Sequence, residues 1–80
     1  MAPYNPPSAH YTQVDVSHIN ETNVLKAMGK NGANFKELTS KLHVKYIWWD
    51  KERQVIEIWG PFYSMISAFN GVNEYMNSYM

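Results

Sequence analysis

Two glycines three residues apart form the feature of this sequence with the clearest chemistry. They enclose a lysine and an asparagine in the run Gly29-Lys30-Asn31-Gly32. Glycine lets the backbone turn sharply, and because it has no Cβ atom a sugar–phosphate backbone can approach closely. A helix that begins after the second glycine would present its N–H groups and the positive end of its dipole to a phosphate. The same four residues also fit a plain corner between two helices, so both interpretations stay open.

Lysines are concentrated around these glycines. Between Val24 and Lys45 there are five lysines and one acid, Glu37, so the local charge is five minus one, or +4. The five are Lys26, Lys30, Lys36, Lys41 and Lys45. The whole chain has 7 Lys+Arg and 7 Asp+Glu, so this local excess is offset elsewhere. The cluster indicates a phosphate-binding surface of modest affinity, and the alternative is a solvated helix face.

The elements that position the glycine run follow from hydrophobic periodicity. Alternating residues over Tyr11–Ile19 predict a strand with one buried face. A helix capped by Asn20 or Thr22 should then run to Met28. A second helix is predicted over Ala33–Leu42.

The second half of the chain predicts a hairpin followed by a helix. The strands are Val44–Trp49 and Gln54–Trp59, joined by a charged connection over Asp50–Arg53. Gly60-Pro61 ends the second strand. Apolar residues at intervals of three or four then predict a final helix of some four turns. They are Phe62, Met65, Ile66, Phe69, Val72, Met76 and Tyr79.

The domain organisation is simple. A chain of 80 residues and 9.3 kDa allows one compact domain. Met1–His10 contains three prolines and no apolar period, so residues 1–10 are predicted to form a flexible arm and residues 11–80 a single domain.

The stretch from Ile19 to Gly60 resembles the KH domain, a module that binds single-stranded RNA or DNA. The matching segments are Ile19-Asn20, Val24-Leu25, Ala27-Met28, the glycine run, Phe35 with Leu38, Tyr46 with Trp48, and Ile56-Glu57-Ile58-Trp59-Gly60. Met65, Ala68 and Val72 match the spacing of the family's last helix. Leu25 departs from the pattern, because the family has a glycine there, and His43 replaces the glycine that ends the second helix.

The resemblance implies an α+β, type I KH fold in the order β-α-α-β-β-α, with a three-stranded antiparallel sheet packed on three helices. It also implies a non-catalytic, intracellular function, cytoplasmic or nuclear, in which the GxxG loop holds single-stranded RNA or DNA and the bases lie in an apolar groove. By position, the implied nucleic-acid-binding residues are Leu25, Lys26, Met28, Gly29, Lys30, Asn31, Gly32, Phe35, Lys36 and Tyr46. Each apolar member is also an ordinary core candidate.

Several classes of function are disfavoured. Without cysteine there is no disulfide, thiolate metal site or cysteine nucleophile. The histidines His10, His18 and His43 have no metal-ligand spacing, and no pair of acids is brought together, so we expect no enzyme, cofactor or metal. The chain has neither a signal-peptide pattern nor an apolar run long enough to cross a membrane.

The last twenty residues support an alternative function. From Pro61 to Met80 the single charge is Glu74, and aromatic residues are frequent. A nearly uncharged helix face is typical of packing against a second copy or another protein. The alternative to nucleic-acid binding is therefore a KH-like scaffold for protein interaction or self-assembly through this C-terminal helix.

Overall fold

The protein is described by a computed structural model that covers residues 10–80. The predicted arm therefore lies outside the described residues, except for His10, which opens the first strand. Residues 10–80 form a small α+β domain with a three-stranded antiparallel sheet and three helices. This confirms the predicted class of fold.

The elements follow one another as strand, helix, helix, strand, strand and helix. They are β1 (His10–Asp15), α1 (Glu21–Met28), α2 (Ala33–Lys41), β2 (Tyr46–Asp50), β3 (Val55–Gly60) and α3 (Met65–Asn77). A 3-10 turn over Lys30–Gly32 joins α1 to α2, and another over Phe62–Ser64 precedes α3. No helix formed by residues 10–80 has the length and apolar character needed to cross a bilayer.

Strand β3 is the centre of the sheet, with β1 on one side and β2 on the other. Val14 pairs with Ile56, and Ile47 pairs with Ile58. These side chains point to the helix side of the sheet, where Val14, Ile56 and Ile58 are fully buried. The core is completed by Val24, Ala27, Phe35 and Leu38 from α1 and α2 and by Ala68, Val72 and Met76 from α3.

The outer face of the sheet carries aromatic rings around a buried acid. The ring centroids of Tyr11 and Trp59 are 5.2 Å apart, and those of Tyr46 and Trp59 are 5.8 Å apart. Glu57 is buried between the neighbouring strands, and its Oε2 accepts a hydrogen bond of 2.7 Å from the Tyr11 hydroxyl. The guanidinium of Arg53 lies 3.9 Å from the same oxygen, so the buried carboxylate keeps an opposite charge nearby.

Every strand boundary differs from the prediction by at least one residue, and the two largest differences are the end of β1 and the start of β2. β1 ends at Asp15 rather than Ile19, because the Asp15 carboxylate accepts the N–H of Ser17 at 2.7 Å and turns the chain. β2 begins at Tyr46 rather than Val44, because the Val44 N–H donates to Thr39 in α2. In the connection between α2 and β2, His43 adopts the left-handed conformation, with φ +57°. The resemblance implied a glycine at this position.

Helix α3 packs on the sheet through one of its faces. Its buried residues are Ala68, Val72 and Met76, and at Gly71 an added Cβ would lie 2.7 Å from the Leu42 side chain. The periodicity predicted a helix here correctly, but its set of apolar residues combined the buried face of the helix with residues that are exposed. Phe62 and Ile66 point into solvent, with 75% and 79% of their surface exposed.

Candidate functional site

The glycine run lies in the corner between α1 and α2, as the local sequence predicts. Helix α1 starts at its N-cap Asn20, whose Oδ1 accepts the N–H of Thr22 at 2.8 Å. The helix stops at Gly29, whose N–H donates to Leu25 at 3.1 Å. Gly29 has φ 81° and ψ 166°, a combination essentially restricted to glycine.

The two glycines of the loop differ in the space available for a side chain. A Cβ at Gly29 would lie 2.8 Å from Cγ and 2.9 Å from the backbone nitrogen of Asn34, so there is no space for one. A Cβ at Gly32 would meet nothing within 4 Å, although its φ of +75° is left-handed. Asn31 is also left-handed, with φ 57°, a conformation that asparagine tolerates better than most residues. The loop is therefore a fixed turn with open space beside Gly32.

Hydrogen bonds within the turn use two of its backbone donors. The N–H of Gly32 donates to Gly29 at 3.1 Å, and the N–H of Ala33 donates to Lys30. Gly32, the N-cap of α2, has no side chain to cap that helix. These two amides already have acceptors within the turn, and the neighbouring lysines supply positive charge for an anion.

A groove of about 730 Å³ opens beside the loop. It is bounded on one side by α1, the loop and α2, and on the other by β2. Its lining residues are Leu25, Met28, Gly29, Asn31, Gly32, Phe35, Lys36, Thr39, Lys45, Tyr46, Ile47, Trp48 and Trp49. The volume falls in the range of small-ligand sites, roughly 300–1,000 Å³.

The groove runs along the edge of β2 that faces away from β3. Within residues 10–80 strand β2 pairs only with β3, and four consecutive residues, 46–49, line the groove. Side chains of consecutive strand residues point to opposite faces of a sheet. A cavity that touches all four must therefore lie along the outer edge of the strand, and backbone groups at such an edge can bind a ligand.

The apolar lining ranges from core to surface. Phe35 is only 4% exposed and belongs to the core, and Met28 is half-buried. Leu25, in contrast, is 52% exposed at the groove mouth. Trp49 also lines the groove, and its indole N–H is buried without an acceptor among residues 10–80.

The charged residues of the lining are both basic. Lys36 and Lys45 line the groove, whereas Lys26 and Lys30 are exposed near the loop and do not line it. Among residues 10–80 no acidic side chain lines the groove. An anionic ligand would therefore meet positive charge at the groove rim and apolar side chains at its floor.

A tyrosine of α3 fixes the end of helix α1 next to the loop. The Tyr75 hydroxyl donates to the backbone oxygen of Ala27 at 2.7 Å and lies 3.3 Å from the Tyr79 hydroxyl. Burial, reinforced by Tyr79, raises the pKa of Tyr75 to about 12. The phenol consequently stays neutral and keeps its donor proton at physiological pH.

Most of the residues implied by the resemblance meet at this groove. It is lined by Leu25, Met28, Gly29, Asn31, Gly32, Phe35, Lys36 and Tyr46, and Lys26 and Lys30 lie outside the lining. The resemblance did not imply a binding role for Thr39, Lys45, Ile47, Trp48 or Trp49, although Lys45 belongs to the lysine cluster that the sequence indicates as a phosphate-binding surface. Thr39 lies three residues after Lys36 on α2, and that helical spacing was the available signal for it.

No metal centre accompanies the groove. Within residues 10–80 there is no group of three His, Asp or Glu side chains able to hold a metal ion.

Comparison of the chain with protein-family models, with curated proteins and with solved structures finds no match.

Proposed function

We propose that this protein is a divergent KH-type domain that binds single-stranded RNA or DNA in the groove between the glycine loop and β2, without catalysis. The observation that carries the proposal is the joining of three features in one cavity. They are a glycine turn, a rim with Lys36 and Lys45 but no acid among residues 10–80, and an apolar floor beside the edge of β2 that faces away from β3. Each suits a different part of an unpaired nucleotide.

Phosphates suit the loop side of the groove. Gly32 leaves open space there, and the exposed ammonium groups of Lys30 and Lys36 are close in sequence to it. Single-stranded nucleic acids present both phosphates and unstacked bases, and KH modules hold about four such nucleotides with a GxxG loop. The order of strands and helices along the chain supports the same family.

Bases suit the β2 side. Tyr46 and the exposed Leu25 offer apolar surface to a base, and stacking on an aromatic ring contributes about 1–3 kcal/mol per base. Backbone groups along a strand edge can pair with base edges. A duplex hides those edges, so single strands are the substrate class that this surface favours.

Reversing the charge of the loop tests the proposal. Lys30→Asp with Asn31→Asp keeps residue types that accept the left-handed turn at position 31 and places two carboxylates beside the groove. In a low-salt anisotropy titration with pools of short single-stranded RNA and DNA, affinity should fall at least about tenfold. Lys41→Asp with Asn77→Asp is the matched control, since it makes the same change of charge at exposed residues that do not line the groove.

Two results would contradict the assignment. The first is a wild-type chain that binds no single strand at low salt. The second is a loop variant that binds as well as the control, which would place any nucleic-acid contact elsewhere on the protein.

A further inference from the structure

The first turns of α3 and the 3-10 turn before it expose a cluster of large apolar side chains. Phe62, Tyr63, Ile66 and Phe69 are 75%, 83%, 79% and 38% exposed, respectively. Ile66 and Phe69 are three residues apart on one side of α3, and Phe62 and Tyr63 lie in the 3-10 turn directly before the helix. We name these four residues the α3 patch.

The interior of the monomer does not account for the α3 patch. Helix α3 buries Ala68 and Val72 in the core, and its Gly71 lies close to the Leu42 side chain at the end of α2. The larger side chains of the same segment face away from the core. Phe62 makes an edge-on ring contact with His10 at 5.3 Å, yet three quarters of its surface stays in solvent.

The area of the patch suits an interface. A large aromatic side chain contributes roughly 150–250 Å² when fully covered, so the four exposed side chains amount to about 500 Å². Soluble monomers rarely expose contiguous apolar patches larger than a few hundred Å². Two such patches facing each other would bury about 1,000 Å², which reaches the lower limit of a specific interface before any polar rim is added.

The lack of charge on the α3 patch favours a second copy of the chain as its partner. No charged residue occurs between Pro61 and Asn73, and the polar neighbours are uncharged, namely Ser67, Asn70 and Asn73. In a two-fold interface the residues near the axis meet their own copies, so any charge there would face itself. A neutral patch avoids this repulsion, whereas it offers no complement to an acidic or basic partner.

We propose that the α3 patch is the interface of a symmetric dimer of this chain. Helix α3 packs beside β1, and the groove lies along β2 at the opposite edge of the sheet. The dimer therefore leaves both grooves open and carries two binding sites. This inference does not depend on what the grooves bind.

Sedimentation equilibrium of the 80-residue chain tests the dimer. We expect reversible association with a dissociation constant on the order of 1–100 µM, as for a small interface. Ile66→Asp should weaken association at least about 30-fold, because it places two carboxylates at the centre of the contact. Met80→Asp is the matched control: the same change at another exposed apolar residue, 73% exposed and outside the patch, should leave association unchanged.

A mixture of two variants gives an independent readout. Ile66→Asp and Ile66→Lys should each be monomeric alone and should associate when mixed, because opposite charges then meet across the axis. Circular dichroism should show both variants folded, since Ile66 contributes little to the core. A monomeric wild type at about 500 µM, or a dimer that Ile66→Asp and Met80→Asp weaken equally, would overturn the proposal.

Discussion

Removing Lys36 should lower the salt sensitivity of nucleic-acid binding by a calculable amount. Lys36 and Lys45 line the groove, and the exposed Lys26 and Lys30 lie close to the loop. If these lysines make about four phosphate contacts, log K against log salt should have a slope near −2.8, about −0.7 per contact on a single strand. Affinity should then fall about 50-fold between 50 and 200 mM salt.

Lys36→Ala removes one of those contacts. The slope should become about −2.1, and the same increase in salt should then weaken binding about 20-fold. The assay is an anisotropy titration of a short single-stranded oligonucleotide at several salt concentrations. Lys41→Ala is the control, because Lys41 does not line the groove, and its slope should match the wild type. A slope that Lys36→Ala leaves unchanged, or that Lys41→Ala lowers equally, would refute the placement of phosphates along the rim.

Four further substitutions test how the site is built, each by chemical denaturation. Gly29→Ala should destabilise the fold by about 2–4 kcal/mol, because the new Cβ clashes with the backbone and the φ angle is strained. Gly32→Ala should cost only about 1–2 kcal/mol, because the φ angle is strained but space is open. Equal losses of stability would contradict the difference in space between the two glycines. Asn20→Ala removes a helix cap and should cost about 1 kcal/mol, and an unchanged unfolding midpoint would show that the cap is unimportant. Tyr75→Phe should cost about 1 kcal/mol by removing a hydrogen bond. Because the folded-state pKa of Tyr75 is raised from 10.0 to about 12, stability should fall as the pH rises between those values, and this variant should lack that part of the loss.

Local signals in the sequence predicted the helix–loop–helix corner closely. An asparagine cap, a short apolar period and two glycines determine α1 and its end within a few residues, and no distant contact is needed to recognise them. The corner is the part of the candidate site that sequence reasoning assigned most completely.

Features that depend on tertiary packing were harder to predict. In the predicted last helix, Phe62 and Phe69 are seven residues apart, as are Met65 and Val72. Periodicity alone therefore cannot decide which of the two sets is buried. The choice follows from the close approach of Gly71 to Leu42, which the sequence pattern does not reveal. Likewise, the role of residues 46–49 depends on β2 being an edge strand, which is a property of the sheet order.

The position of β2 at the edge of the sheet formed by residues 10–80 has a consequence for solubility. Residues 44–49 are rich in β-branched and aromatic side chains, and an edge strand of this composition can recruit another strand. A ligand lying in the groove would cover that edge, whereas an empty groove leaves it as a template. We therefore expect a chain with an occupied groove to remain dispersed at concentrations where the empty chain forms β-rich aggregates.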